Sequence, residues 1–144
     1  HGIDISKYAV ENADESLKDR LKLASITEIP HPTCSFDLVV SFDTMEHLNK
    51  KQYEAAIKEM ARISSKYVLF SITTENNVVD QSHISIMPIQ DWIKIIDGLI
   101  GEDYYRVKNN FLDQSILWFN PKMCLIYARK RNGVAPRQDT APLI

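Results

Sequence analysis

The chain has 144 residues and a formal net charge of −2, which is room for one domain and too little positive charge for a broad nucleic-acid surface. No apolar run approaches the roughly 18 residues of a membrane-spanning helix. Two cysteines, Cys34 and Cys124, exclude a disulfide scaffold and a cysteine-based zinc ribbon, and they suit a reducing, cytoplasmic setting. The four glycines, at positions 2, 98, 101 and 133, cannot form a glycine-rich phosphate loop of the GxGxxG kind.

In chain order, Gly2-Ile3-Asp4 is an apolar stub ending in an acid. Ser6 is a good N-cap for a helix that Ala9, Ala13 and Leu17 carry to about residue 17. Leu21 to Ala24 alternates as a short strand, and a proline-bearing loop follows through Pro30, His31 and Pro32. Phe36 to Phe42 is the strongest strand, and its Leu-Val-Val core predicts burial on both faces, as in a parallel sheet. Lys50 to Ile63 is an amphipathic helix with Tyr53, Ile57, Met60 and Ala61 on its apolar stripe. Tyr67 to Ile72 is a further apolar strand, and residues 73–87 form a long polar loop. Pro88 opens a helix that buries Ile89, Trp92, Ile93, Ile96 and Ile100 and stops between Gly98 and Gly101. Residues 104–111 and 122–129 read as an antiparallel strand pair. This gives one domain over residues 1–130 and a structureless tail over 131–144.

Strands alternating with helices predict an α/β fold with a mostly parallel sheet closed by the antiparallel pair. Ligands in such sheets bind at the carboxyl ends of the strands. The positions there are Asp4, Ser25 and Ile26, Phe42 to His47, and Thr73 to His83. Asp43, Glu46 and His47 have the spacing D-x-x-E-H, which places them on one face if the segment is helical. With His83 they make two carboxylates and two imidazoles, a donor set for a divalent ion such as Mg²⁺, Mn²⁺ or Zn²⁺. The same residues also suit a metal-free general base, His47 or His83 oriented by Glu46, and equally a hydrogen-bonded helix start.

Three blocks together resemble the class I S-adenosylmethionine-dependent methyltransferases, which implies a Rossmann-like sheet. They are Gly2-Ile3-Asp4-Ile5-Ser6, the run from Pro30 through Phe36-Asp37-Leu38-Val39-Val40-Ser41, and Glu46-His47-Leu48. The resemblance implies that Asp4 binds the cofactor's ribose hydroxyls and Ile5 packs on its adenine. It implies that Ser25 and Ile26 recognise the adenine edge, Ser25 standing where an acid is common, and that Phe42 and Asp43 approach the methionine end. It also implies an enzyme moving a methyl group to an acceptor hydroxyl, with Glu46, His47 and His83 as catalytic groups. Asp43, Glu46, His47 and His83 are the metal set by similarity to the E-x-x-E-H site of small-RNA 2′-O-methyltransferases. The block Asp80-Gln81-Ser82-His83 with Pro88 and Trp92 resembles a subgroup acting in glycan biosynthesis, which makes a sugar or other small molecule the expected acceptor. Asn76 and Asn77 are further candidates for holding it.

The resembled fold begins with a strand, a glycine-rich turn and a helix that precede Gly2-Ile3-Asp4. The expectation is therefore a domain lacking its first βα unit, with the sheet completed by an N-terminal segment or a partner chain. Two rival readings remain open at this stage. One is a non-catalytic cofactor-binding or interaction domain that has kept the fold. The other is a nicotinamide-dependent α/β enzyme, which the Glu46-His47 pair disfavours.

Overall fold

A computed structural model describes residues 1–74, 82–107, 124–131 and 133. In chain order the elements are β1 (Gly2–Asp4), α1 (Lys7–Glu11), β2 (Leu21–Leu23), β3 (Phe36–Phe42), α2 (Lys50–Ile63), β4 (Ser64–Ser71), α3 (Ile89–Ile100), β5 (Tyr104–Val107) and β6 (Cys124–Arg129), with 3₁₀ turns at Glu15–Arg20 and Met45–His47. Asn76, Asn77, Asp80, the outer ends of the last two expected strands and nearly all of the tail lie outside the described residues.

The strands form two sheets. β1 pairs with β2 in parallel, and the second sheet runs β3-β4-β6-β5. β3 and β4 are parallel, whereas β6 is antiparallel to both β4 and β5. This is the α/β architecture expected, including the antiparallel closing pair. The starts of β1 and β3 lie together, because the His1 ring stands 5.6 Å from that of Phe36 and His31 stands 4.9 Å from it. The outer edges of β1 and β3 have no strand beside them among the described residues.

The core lies between the larger sheet and the pair α2 and α3. Met60, Val68, Phe70, Trp92, Ile96 and Tyr127 are essentially inaccessible. Trp92 is therefore core, packed edge-to-face on Tyr53 at 5.0 Å. α2 starts at Asn49 with a capping box, as Asn49 Oδ1 accepts from the Gln52 amide and Gln52 Oε1 from the Asn49 amide. Tyr104 donates its hydroxyl to the Ala61 and Ser64 carbonyls, and the Arg129 guanidinium binds the same two oxygens. Together they tie the end of α2 to the antiparallel pair.

α3 stops within the expected Gly98 to Gly101 stretch, with Ile100 its last residue and Gly101 its cap. Three expectations are corrected. The first helix ends at Glu11, because Asn12 caps its last turn and Asp14 caps a separate 3₁₀ turn through the Ser16 amide. β4 starts three residues early, at Ser64, directly from α2. The third concerns β3, which is not buried on both faces. Ser41 is buried on one side, but Leu38, Val40 and Phe42 on the other are 53%, 45% and 49% exposed. The apolar run is real, yet no layer covers that face among the described residues.

Candidate active site

Each parallel strand delivers a polar or strained residue at its carboxyl end. Asp4 ends β1 exposed, and its Oδ1 accepts the Ser6 amide at 2.7 Å while Ser6 caps α1 through the Ala9 amide. The carboxylate is thus oriented by the turn, with Oδ2 pointing no hydrogen bond at any described residue. Ile5 beside it is 80% exposed, an apolar side chain with almost nothing packed on it. After β2, Ser25 Oγ is shared with the Thr27 hydroxyl at 2.8 Å and accepts the Thr27 amide. Ile26 is half-buried against the core.

At the end of β3 the chain turns sharply. Asp43 has a φ of 45°, in the left-handed region that an aspartate tolerates better than most residues. Its amide donates to the Ser71 carbonyl at 3.0 Å, which pins it to the neighbouring end of β4. Backbone strain of this kind is stored where surrounding contacts over-determine it, and it concentrates at functional sites. Phe42, just before, is half-exposed.

The turn Met45–His47 then carries Glu46 and His47, which His83 joins from the segment after β4. Glu46 is fully buried. Its Oε1 accepts the Thr73 amide at 2.9 Å, and its backbone carbonyl accepts the amides of both Ile84 and Ser85 at 2.9 Å. Ser85 adds a 2.6 Å bond from its hydroxyl to the Leu48 carbonyl. These bonds clamp the segment bearing His83 against the turn bearing Glu46 and His47. The rings of His47 and His83 meet edge-to-face with centroids 4.6 Å apart. Ligand atoms of Glu46, His47 and His83 all lie within 4.8 Å of one another.

Asp43 does not join this group. The segment is a 3₁₀ turn beginning at Met45 rather than a helix through Asp43, so the expected shared face does not form. Its carboxylate instead receives a long 3.4 Å bond from the Ser71 hydroxyl. Two contributors escaped the sequence reading. Ser82 faces His47 Nδ1 with its hydroxyl at 2.9 Å and its carbonyl at 3.2 Å. Thr73 holds Glu46 through a backbone amide, which leaves no trace in residue type. No described helix is long and apolar enough to cross a membrane.

Residues 1–70 match the family model described as a methyltransferase domain. No protein of the curated set matches the chain. Among solved structures it is similar to the YcgJ protein of Bacillus subtilis, with 19% identity and a TM-score of 0.55, over 74% of this chain and 53% of that one. It is similar to a Thermotoga maritima S-adenosylmethionine-dependent methyltransferase described as a possible histamine N-methyltransferase, with 16% identity and a TM-score of 0.59, over 90% and 72%. It is also similar to the Burkholderia thailandensis 1,6-didemethyltoxoflavin-N1-methyltransferase, solved with that compound and S-adenosylhomocysteine bound, with 10% identity and a TM-score of 0.57, over 90% and 60%. The chain thus spans about half to three quarters of the length of these structures. The match covers the strand ends that bear Asp4, Ser25, Phe42, Asp43 and Glu46. The methyltransferase-domain match thus spans residues 1–70, just under half of the chain, and these solved structures share its fold.

Proposed function

We propose that the protein transfers a methyl group from S-adenosylmethionine to a hydroxyl of a small molecule or sugar. The observation that carries this reading is that the methyltransferase match over residues 1–70 coincides with an exposed acid, held through one oxygen, at the end of β1 and a strained aspartate at the end of β3. When bound, the cofactor would supply a sulfonium methyl, open to in-line attack by an oxygen nucleophile with the thioether S-adenosylhomocysteine as the leaving group. Asp4 fits its ribose, because Oδ2 is presented to solvent on a carboxylate already fixed through Oδ1. The bare Ile5 side chain offers an adenine face its apolar partner, and Ser25 with Ile26 borders the same end of the sheet. Phe42 and Asp43 line the approach to the reacting methyl. Glu46, His47 and His83 form the acceptor pole, where the hydroxyl is oriented and gives up its proton. Much of the protein's contribution is positioning.

The domain works with its sheet completed. Among the described residues no strand lies along the outer edges of β1 and β3, and Leu38, Val40 and Phe42 leave one face of β3 apolar and about half exposed. A parallel strand and a covering helix, from an N-terminal segment or a partner chain, would satisfy both.

The test is calorimetric titration of S-adenosylhomocysteine, with circular dichroism on the same sample. Asp4→Ala removes a charged acceptor of two hydroxyl bonds and should weaken binding at least about tenfold. α1 has only five residues, all exposed or half-exposed, so the fold tolerates the lost turn bond. Equal affinity in a folded Asp4→Ala protein overturns the cofactor assignment. Saturable binding with no methyl transfer to any hydroxyl acceptor tried would leave a cofactor-binding module instead.

A further inference from the structure

We propose that Ser71 is a positioning residue for the amino-acid end of the cofactor, and that it acts through Asp43. The inference rests on the cofactor reading above and extends it to a buried side chain that touches no cofactor.

Ser71 is the last residue of β4 and is essentially inaccessible. It closes both of that strand's ladders at this end, paired with Phe42 of β3 on one side and with Cys124 of β6 on the other. Three strands therefore meet at one small hydroxyl, at the carboxyl edge where the ligands of α/β sheets bind.

Asp43 is the residue this junction controls. With a φ of 45° its backbone is strained, and it keeps that conformation only while contacts hold it. Two such contacts come from Ser71. The Asp43 amide donates to the Ser71 carbonyl at 3.0 Å, and the Ser71 hydroxyl donates to Asp43 Oδ1 at 3.4 Å. The first fixes the backbone, and the second selects where an exposed carboxylate points. A bond as long as the second contributes little to stability, so its loss reorients the carboxylate without unfolding the sheet. Thr44 closes the turn from the other side, its hydroxyl on the Phe42 carbonyl at 2.9 Å.

Cys124 gives the Ser71 hydroxyl its direction. Burial raises the thiol pKa, so the group is protonated at neutral pH; its hydrogen bond with Ser71 works against that rise, and the nearby Asp43 charge adds to it. A protonated thiol donates, so the Ser71 oxygen accepts from Cys124 and turns its own proton to Asp43. The order thiol, hydroxyl, carboxylate crosses three strands.

In this reading the two ends of the cofactor depend on separate devices. Asp4 serves the ribose from the smaller sheet, and Asp43 meets the amino-acid end from the larger one. Adenosine, which carries only the nucleoside, reports on the first device. S-adenosylhomocysteine reports on both.

The experiment measures both affinities by calorimetry for the parent, Ser71→Ala, Asp43→Gly and the double variant, with circular dichroism on each. Glycine at position 43 accepts the positive φ and keeps the amide bond to Ser71. Ser71→Ala should weaken S-adenosylhomocysteine at least about fivefold and leave adenosine within about twofold. Asp43→Gly should show the same selective loss. In the Asp43→Gly background the serine substitution should change neither affinity, because the side chain it acts through is gone. Three results overturn the proposal: unchanged S-adenosylhomocysteine affinity in folded Ser71→Ala, an equal loss for both compounds, or an equal loss with and without Asp43. Each of these leaves the cofactor reading standing as long as the parent binds S-adenosylhomocysteine. A parent that binds neither compound overturns that reading and the proposal with it.

Discussion

Replacing Arg62 with methionine probes how the two sheets are held in place relative to α2. The guanidinium makes two bonds to Glu59, from Nε at 2.6 Å and Nη2 at 2.8 Å. It makes two more to the backbone, from Nη1 to the His31 carbonyl at 2.8 Å and from Nη2 to the Ile29 carbonyl at 2.9 Å. The loop so held joins β2 to β3, and it starts with Ser25 and Ile26. Methionine keeps most of the packing of the stem and removes the four bonds. A bond from a charged donor contributes about 1.5 to 3 kcal/mol, and the low end applies because the Arg62 side chain is 33% exposed. Losing the two carbonyl contacts then costs about 2 to 3 kcal/mol. With an m-value of about 2 kcal/mol/M in urea, the denaturation midpoint falls by about 1 to 1.5 M. The assay is urea unfolding followed by far-UV circular dichroism.

The pH dependence supplies a second check. The hydrogen bond from Arg62 holds the Glu59 carboxyl below the ordinary carboxylate range, outweighing the cost of burial, and the Ile29 amide adds a lesser push in the same direction. A depressed carboxyl stabilises the fold above its unfolded value of about 4.3 and loses that contribution as the pH falls through its folded value. The gap between parent and Arg62→Met should therefore be full at neutral pH and narrow in acid below about pH 4. A midpoint shift under about 0.2 M, or a gap that widens in acid, refutes this account.

Two other outcomes follow from the structure. Cys34 is exposed and Cys124 is buried, with burial raising its thiol pKa, so a thiol reagent should modify one cysteine quickly and the second only on unfolding. Rapid modification of both would place Cys124 at the surface. Gly101 ends α3 with no room for a side chain, because an added Cβ meets the Asp97 carbonyl oxygen. Gly101→Ala should therefore destabilise by about 1 to 2 kcal/mol, read as a lower thermal midpoint, and an unchanged midpoint contradicts the packing at that helix end.

Much of this architecture is legible in residue order. β3, α2 and α3 were predictable because long apolar runs and a clear helical stripe outweigh local detail. The break after Glu11 was not, since Asn12 and Asp14 satisfy backbone amides locally and compete with continued helix at little cost. The Leu-Val-Val run of β3 reports that its residues are apolar and is silent on whether a layer exists to cover them. At the site, Glu46, His47 and His83 were named from residue type. Their meeting depends on the Glu46 carbonyl gripping residues 84 and 85, a long-range backbone contact that no side-chain pattern encodes. Asp43 failed to join them because a left-handed residue, rather than a helical turn, closes the strand.

The edge of β3, which no described strand covers, also bears on how the molecule behaves in a tube. Phe36–Phe42 contains a single charge, Asp37, at its outer end, and no proline or bulge guards its length beyond the irregularity near Leu38. Such a strand is a template that any other strand can extend. Two copies meeting there about a twofold axis pair antiparallel, whereas the strand that completes the sheet in the proposed reading runs parallel. The two events are therefore mutually exclusive at the same row of amides. Light scattering from concentrated solutions should rise with protein concentration while secondary structure holds, and an added segment that occupies the edge should act as a solubility factor as well as a structural one.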